Sequence, residues 1–313
     1  MSNYIILTDS NCELNKDLRE RFGLEDYIKG HIVTPDGVDH RVDLEWELFG
    51  TPDKFYTQLK DKKNVFSTSA PNSAEFIEFF SKYLEQGRDI IFLSMSTALS
   101  GTYDFAVMAK NELAAKYPDR RIEIFNTLRY SCAVGLLTVT ALKLQQEGKS
   151  YDEVLEFLNK NCNRVHEMGP MDDLFFLSRK GRISYGKAFM GTLVGVKPLG
   201  DFNKNGLTTV LTKALGLKKA MAITIEYVKR TIENPEEQII FIAETDRRKN
   251  AEILADLLKK EVKPKEVIII TCNPSTGANV GPGLAACYYF GKEISDDLVE
   301  ETKLMEEITG KDK

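Results

Sequence analysis

The chain contains 313 residues, of which 42% are hydrophobic and 28% are charged, and its formal net charge is −5. This length suits one large domain or two ordinary ones, with enough apolar side chains for a buried core. The acidic balance disfavours a nucleic-acid partner, because binding to a phosphate backbone requires a basic face. No apolar run approaches the roughly 18 residues of a membrane-spanning helix, and the first residues show no signal-peptide pattern. We therefore expect no stable membrane insertion, although the sequence leaves room for transient membrane contact.

The five cysteines are an odd number and are scattered, with no Cys-x-x-Cys pair among them. A disulfide framework uses an even number of cysteines, and a zinc site uses closely spaced ligands. The pattern is typical of reduced thiols in a cytoplasmic protein. We expect a cytoplasmic location, with no metal ion and no cofactor.

In the first half of the chain, apolar strand-like runs alternate with segments of helical periodicity. Two of the helices open with capping boxes, Asn72-x-x-Glu75 and Ser150-x-x-Glu153, which bond the free N–H groups of the first turn. The order predicts an α/β fold with a mostly parallel, Rossmann-like sheet covered by helices. The predicted segments are strand 4–7, helix 16–22, a helix from Asn72 that stops at Gly87, strand 90–93, strand 121–125, helix 131–146 and helix 150–161.

The pattern changes past about residue 165, where a short apolar run (173–177) precedes a run rich in glycine and basic residues (179–184). Apolar runs 196–199 and 207–211 flank an Asn-Lys-Asn-Gly turn, which predicts a hairpin. Further predicted segments are helix 216–233, strand 238–243, helix 248–260, strand 266–271, the glycine-rich run 277–283, the aromatic strand 284–290 and an amphipathic helix 295–308. We therefore predict a boundary within residues 160–166. It separates an N-terminal α/β domain (1–162) from a C-terminal α/β domain with a mixed sheet (163–313).

Four clusters of hydroxyl, glycine or basic side chains follow predicted strands or short apolar runs: Thr8-Asp9-Ser10, residues 66–71, residues 94–102 and residues 179–184. Taken singly, each has an ordinary explanation, because hydroxyl groups cap helices or bond turns, and basic loops are commonly solvated. Taken together, they can build one ligand pocket, because the carboxyl ends of parallel strands meet at one edge of a sheet.

The third cluster is the most informative one. Strand 90–93 leads into Ser96-Thr97-Ala98-Leu99-Ser100-Gly101-Thr102, and a helical pattern follows from about Tyr103. Hydroxyl groups and the free N–H groups of a helix start suit an anion. No catalytic base stands beside these hydroxyls in the sequence, so the turn suits holding a ligand better than cleaving one. Ser100 and Thr102 are expected to start the following helix.

In this order, the motifs resemble those of the DegV family of bacterial fatty-acid-binding proteins. The resemblance rests on the first strand with Thr8-Asp9-Ser10, on the Thr68-Ser69-Ala70-Pro71 turn and on the Ser96 to Tyr103 turn, whose Leu-Ser-Gly-Thr-Tyr segment is the most specific element. It continues through residues 174–183, Lys197-Pro198 and residues 277–283. It therefore spans nearly the whole chain.

The resemblance implies a two-domain α/β protein that buries one long-chain fatty acid in a tunnel between its domains. It also implies a partner, the catalytic subunit of a separate fatty acid kinase, which phosphorylates the carboxyl group of the bound acid. The protein itself is then a carrier and not an enzyme. By the same resemblance, Thr68 and one hydroxyl of the Ser96-Thr97 pair hold the carboxylate, and Arg182 lies near it.

Three positions depart from the family pattern. Ala70 stands where a glutamine is common, with little effect expected on the acyl site. Asn279 stands where the family usually has a histidine, and asparagine can donate a hydrogen bond but carries no charge. Lys180 stands where a glycine is usual, and we expect its ammonium group to restore positive charge beside Arg182. The expected ligand-binding residues are Thr8, Asp9, Ser10, Thr68, Ser96, Thr97, Lys180, Arg182 and Asn279.

Two alternative functions remain open at this point. One is an enzyme that acts on acyl esters or acyl-phosphate in the same pocket, with Cys132 or Ser96 as nucleophile, although none of the motifs contains a histidine or paired carboxylates. The other is a binder of another small anionic metabolite. No Gly-x-Gly-x-x-Gly or P-loop motif supports a nucleotide, because Gly281-Pro282-Gly283 precedes a strand and not a helix.

Overall fold

The structure is a computed structural model that describes residues 3–61, 63–172, 174–185 and 195–310. Its first half contains strands β1 (Tyr4–Asp9), β2 (Tyr27–Ile28), β3 (His31–Val33), β4 (Asp39–Arg41), β5 (Ser67–Ser69), β6 (Asp89–Ser94) and β7 (Ile122–Asn126). The helices of this half are α1 (Lys16–Phe22), α2 (Pro52–Lys60), α3 (Ser73–Leu84), α4 (Thr102–Lys116), α5 (Cys132–Gln146) and α6 (Tyr151–Asn161).

The second half contains strands β8 (Val165–Met168), β9 (Ile183–Tyr185), β10 (Val196–Phe202), β11 (Thr208–Leu215), β12 (Ile239–Glu244), β13 (Glu266–Thr271) and β14 (Ala285–Phe290). Its helices are α7 (Phe175–Arg179), α8 (Leu217–Thr231), α9 (Arg248–Glu261), α10 (Pro274–Val280) and α11 (Val299–Thr309). Short 3-10 helices cover Ser10–Cys12, Cys162–Arg164, Pro235–Glu237 and Asp296–Leu298.

The first-half sheet is parallel, with strand order β2-β1-β6-β7. Successive side chains of a strand point to opposite faces, and both faces of this sheet are apolar. Ile5 and Phe92 belong to a cluster with α3 and α4, whereas Ile6 and Leu93 belong to a cluster with α5. The sheet is therefore covered by helices on both sides, as the sequence predicts.

The second-half sheet is mixed, with order β13-β12-β14-β8. Strands β12 and β13 are parallel, and β14 runs antiparallel to β12 and β8. Helices α8 and α9 cover one face. Helix α5 contacts strands of both four-stranded sheets, and ten of its residues, among them Cys132 to Val139, are buried. A helix that is apolar all round belongs between layers, and α5 joins the two halves in this way.

Two three-stranded sheets complete the fold and flank the region where the halves meet. One has order β4-β3-β5, and the other has order β10-β11-β9. Strands β10 and β11 form the predicted hairpin. Its turn is held by the Asn203 carboxamide oxygen, which accepts from the backbone N–H groups of Asn205 and Leu207 at 2.9 and 3.1 Å.

Helix α10 covers a segment that the sequence analysis treated only as a glycine-rich run. Asn273 caps the helix by accepting from the N–H of Ser275 at 2.7 Å, and Pro274 occupies the first turn. A Cβ atom at Gly277 would lie 2.7 Å from Phe55 and 2.8 Å from the Tyr56 hydroxyl. The glycine therefore allows α10 to pack closely against α2, and this tertiary contact outweighs the poor helix propensity of glycine.

Local signals located most other elements correctly. The bounds of α1 and β13 agree with the predicted ranges, and both predicted capping boxes are present. The short strands β2 to β5, β8 and β9 and the helix α2 were not predicted. The domain boundary at residues 160–166 stays a prediction. In the described residues, all strands of the first four-stranded sheet precede residue 162 and all strands of the second follow it. Of the helices in the described ranges, none combines the length and apolarity needed to cross a bilayer.

Candidate functional site

A pocket of about 250 Å³ lies beyond the carboxyl ends of β1 and β6. Parallel strands end together at this edge of the sheet, which is where α/β folds bind ligands. Residues from both sides of position 162 form its wall. The lining comprises Asp9, Ser10, Asn11, Gly30, Thr68, Ser69, Ala70, Pro71, Met95, Leu99, Ser100, Gly101, Thr102, Phe105, Tyr130, Leu177, Arg182, Ser275, Thr276, Asn279 and Val280. We call this the proximal pocket.

A smaller cavity of about 40 Å³ shares Tyr130, Leu177 and Val280 with the proximal pocket. We call it the distal chamber. Its other lining residues, mostly apolar, are Glu167, Gly169, Met171, Leu174, Ile183, Pro198, Leu199, Gly200, Thr208, Val210, Leu284 and Ala286. We call these three shared residues the neck; they lie between a compartment with many polar lining side chains and one lined mostly by apolar side chains.

Thr68 and Asn279 meet in the proximal pocket although 211 residues separate them in sequence. The Asn279 carboxamide nitrogen donates to the Thr68 hydroxyl oxygen at 2.9 Å and to the Ser275 carbonyl at 2.9 Å. Strand β5 holds Thr68 opposite Ile32, and the last turn of α10 holds Asn279. Because the threonine oxygen accepts from the amide, its own hydrogen is available for a ligand acceptor.

Arg182 brings positive charge to the same pocket. Its guanidinium donates to the Lys180 carbonyl oxygen. Within the described ranges, no carboxylate forms an ion pair with Arg182, so its charge is available to an anion. The Lys180 ammonium donates instead to the Phe66 carbonyl at 3.3 Å, and Lys180 does not line the pocket.

The Thr8-Asp9-Ser10 cluster divides between structural and pocket-lining side chains. The Thr8 hydroxyl is buried and donates to the Leu93 carbonyl at 2.8 Å, which ties β1 to β6. Asp9 and Ser10 line the proximal pocket. The Asp9 carboxylate accepts from the Asn11 N–H at 2.7 Å, but burial dominates and raises the pKa of Asp9 to about 6.

The Ser96-Thr97 pair lies outside the pocket lining. Ser96 is fully buried and accepts from the Ala98 N–H at 3.2 Å, whereas Thr97 is exposed and accepts from the Asn126 side chain at 3.1 Å. Ser100 and Thr102, expected only to start the helix, line the pocket as well. Their hydroxyl oxygens are 2.8 Å apart. Their position at the first turn of α4 was the available signal.

Sequence reasoning also missed Glu167, a fully buried residue of β8. Its carboxylate oxygens accept from the Tyr130 hydroxyl at 2.9 and 3.0 Å, from the Tyr288 hydroxyl at 2.9 Å and from the Thr208 hydroxyl. Burial outweighs these bonds and raises the pKa of Glu167 to about 7. The only available signal was an acidic residue inside an otherwise buried strand.

Glu13, which the sequence analysis did not consider, anchors the α10 wall of the pocket. Its carboxylate accepts from the Asn273 N–H at 2.7 Å, from the Ser131 hydroxyl at 3.2 Å and from the Thr276 hydroxyl. Burial raises its pKa to about 7 as well. The backbone of Glu13 is left-handed, with φ +60°, an uncommon conformation for a residue other than glycine.

Cys132 and Ser96, the two nucleophiles considered for an enzyme, do not line either compartment. Cys132 is fully buried, lies outside the lining, and its pKa is raised well above the usual value by burial. No histidine is present among the described lining residues of either compartment. In the described part of the chain, no three His, Cys, Asp or Glu side chains are grouped so that they could hold a metal ion.

The structure is a mixed α/β fold with two adjoining compartments, one with many polar lining side chains and one lined mostly by apolar side chains. The profile of the DegV family matches residues 3–292. The chain belongs to the DegV family.

Similar proteins agree with this assignment. A DegV domain-containing protein of Clostridium perfringens is 34% identical over 93% of this chain and 98% of its own length. The structure of a DegV family protein from Thermus thermophilus, described as fatty acid binding, superposes with a TM-score of 0.82 at 25% identity, covering 92% of this chain and 99% of that one. A DegV lipid-binding protein from Thermotoga maritima superposes with a TM-score of 0.77 at 25% identity, covering 94% and 99%.

Proposed function

We propose that the protein binds one long-chain fatty acid, with the carboxylate in the proximal pocket and the acyl chain directed through the neck into the distal chamber. The observation that carries the proposal is the shared wall of the two compartments at Tyr130, Leu177 and Val280. Thr68 and Arg182 supply a hydroxyl donor and a cation for the carboxylate. The fatty-acid and lipid-binding relatives from Thermus thermophilus and Thermotoga maritima support the ligand class.

The energetics favour such a division of roles. Burial of roughly 14 methylene groups at about 0.8 kcal/mol each supplies on the order of 11 kcal/mol of gross driving force. The chain therefore provides most of the affinity, and the head group needs only orientation and hydrogen bonds. A carboxylate buried without partners would cost several kcal/mol or take up a proton. The polar proximal pocket avoids that cost.

We further propose that the protein is a non-catalytic cytoplasmic carrier that presents the carboxylate to a separate fatty acid kinase. The support for this step is the family resemblance, together with the burial of Cys132 and Ser96. Purified protein with a bound fatty acid, mixed with a fatty acid kinase catalytic subunit and ATP, should yield acyl-phosphate. Turnover of acyl esters by the protein alone, abolished in Ser96→Ala, would overturn the carrier role.

Native mass spectrometry of the purified protein tests the ligand class directly. The expected result is a co-purifying mass near that of a C16 to C18 fatty acid. A nucleotide or another anionic metabolite in its place, or no ligand together with no affinity for added fatty acid, would refute the proposal.

The path of the chain is tested by narrowing the neck with Val280→Phe. If three or four methylenes are excluded from the distal chamber, at about fourfold in affinity each, the affinity for hexadecanoic acid should fall about 100-fold. Octanoic acid should lose much less. The matched control is Val299→Phe, at a position that is 60% exposed. Equal losses for the two acids in Val280→Phe would contradict this path.

A further inference from the structure

The distal chamber carries a polar group that an ordinary acyl chain does not need. Three of its lining residues present oxygen atoms, namely Glu167, Thr208 and Tyr130, in a wall that is otherwise mostly apolar. They are only 4%, 8% and 9% exposed. Burial of such groups costs free energy unless they are hydrogen-bonded. An apolar side chain at any of these positions would suit an unsubstituted hydrocarbon better.

This cluster has more hydrogen-bond acceptor positions than donor hydrogens. Three hydroxyl hydrogens are present, from Tyr130, Thr208 and Tyr288, and all three hydroxyls contact the Glu167 carboxylate. A carboxylate offers about four acceptor positions, and each hydroxyl oxygen adds acceptor capacity of its own. Acceptors therefore outnumber donors even when Glu167 holds a proton. The polar atoms of the cluster all have partners, but the cluster has spare acceptor positions and no spare donor, so it can accept one O–H from a ligand.

We propose that the distal chamber is a subsite for the hydroxyl group of an oxygenated fatty acid, in which the ligand O–H donates to the Glu167–Thr208–Tyr130 cluster. This inference rests on the proposed function, because it requires the acyl chain to enter through the neck. The hydroxyl must be on the part of the chain that lies beyond the neck. A hydroxyl beside the carboxylate would remain in the proximal pocket, near Ser100 and Thr102.

Selectivity follows from the chemistry of the donor. A hydroxyl group can donate to the cluster, whereas a keto oxygen at the same carbon can only accept and meets an excess of acceptors. A methylene forms no hydrogen bond at all. We therefore expect the order hydroxy acid, then unsubstituted acid, then oxo acid, at the carbon that lies in the distal chamber.

Competitive binding measurements test the subsite with octadecanoic acids that carry one hydroxyl at increasing distance from the carboxyl group, the matching oxo acids, and octadecanoic acid itself. The informative variant is Thr208→Val, which removes one hydroxyl at nearly constant volume. Its matched control is Thr209→Val on the same strand. Thr209 points to the opposite face, where it accepts from the Asn203 side chain at 3.1 Å, and it does not line the chamber.

In the wild-type protein, one distal hydroxyl position should bind about five- to tenfold more tightly than octadecanoic acid, the range expected for one net hydrogen bond. Thr208→Val should reduce that ratio by a similar factor, and Thr209→Val should leave it unchanged. Because the readout is the ratio of the affinities for two ligands, a loss of affinity that affects both ligands equally does not change it. If no hydroxylated acid binds more tightly than octadecanoic acid, the cluster has a structural role or binds water, and the subsite is refuted. If no fatty acid binds, the proposed function itself fails.

Discussion

Two fully buried glutamates, Glu13 and Glu167, occupy contrasting places around the cavity. Both accept hydrogen bonds from several neighbours, and burial raises the pKa of each to about 7. Glu13 receives three bonds from Asn273 and Thr276 at the start of α10 and one from Ser131, and it lies outside both compartments. Glu167 receives bonds only from hydroxyl groups of side chains and lines the distal chamber.

The contrast separates an acid that builds the wall from an acid that faces the ligand. The Glu13 carboxylate satisfies backbone and side-chain donors at the start of α10, so the fold accounts for its position. The hydroxyls around Glu167 could bond one another or the backbone, so the fold does not require an acid there. A buried group without a structural requirement is the stronger candidate for a role in ligand binding.

The largest expected effect is a loss of folding stability in Glu13→Ala. The variant removes the acceptor of the Asn273 N–H and of the Thr276 hydroxyl, and it leaves the Ser131 hydroxyl with the Cys272 sulfur at 3.7 Å. We expect the free energy of unfolding to fall by about 4 kcal/mol, because each unsatisfied buried group costs about 1 to 3 kcal/mol. Urea denaturation followed by circular dichroism measures it.

The control is Glu20→Ala on α1, whose side chain is 67% exposed and forms only a 3.8 Å pair with Lys16. A surface change of this kind should stay within about 0.5 kcal/mol. A loss below about 1 kcal/mol in Glu13→Ala would mean that Glu13 does not anchor α10, and the contrast with Glu167 would disappear.

The pH dependence of stability is the next largest effect. The pKa of each glutamate rises from 4.5 to about 7 on folding, so the native state holds more protons than the unfolded state within this window. Stability therefore falls as pH rises from 4.5 to 7, by at most about 1.4 kcal/mol per pH unit for each group. Glu13→Gln and Glu167→Gln should each flatten this slope, measured by denaturation between pH 4.5 and 8.

Two other groups keep a residual slope of the same sign in both variants. The pKa of Asp9 is raised to about 6 by burial, and that of His166 is raised by the Asp201 carboxylate despite the opposing effect of burial. The variants should differ in ligand selectivity, because only Glu167→Gln alters the distal chamber. Equal selectivity for hydroxylated acids in both would place Glu167 with Glu13 as a purely structural acid.

The sequence allowed the outer architecture to be predicted because its signals are local. Capping boxes, strand alternation and a turn-forming Asn-Lys-Asn-Gly segment each act over a few residues. The grouping of Asp9 and Ser10 with the turn after β6 around one pocket also followed, since the carboxyl ends of parallel strands converge. Thr68 reaches the same pocket from the antiparallel strand β5, which was not predicted. Whether these residues contact a ligand stays a prediction.

The interior of the site could not be predicted in the same way. The partners of Glu167 lie 37, 41 and 121 residues away in sequence, and no local pattern brings them together. Helix α10 depends on the contact of Gly277 with α2. The glycine content of this segment alone would predict that it is not helical. The turn after β6 shows the same limit on a smaller scale. The sequence does not show which of its hydroxyls face the pocket, and in the structure these are Ser100 and Thr102 and not Ser96 and Thr97.

The smallest expected effect concerns the charge of the proximal pocket and is tested by Arg182→Gln. If the guanidinium attracts the ligand carboxylate, the variant should bind a fatty acid about fivefold more weakly, the upper part of the range for a partly solvated charge pair. Binding of the corresponding methyl ester should change little, because the ester carries no charge. Isothermal titration at low and high salt measures both ligands, and salt should reduce the difference by screening.

Lys213→Gln is the matched control, because it removes one positive charge from β11, the strand that pairs with β9 directly after Arg182, without altering the pocket lining. It should leave the ratio of acid to ester affinity unchanged. If Arg182→Gln also leaves that ratio unchanged, the carboxylate depends on neutral donors alone, with Thr68 oriented by Asn279. The distal chamber would then determine the orientation of the bound ligand, because that orientation would depend on where its hydroxyl group and its methyl end can be buried.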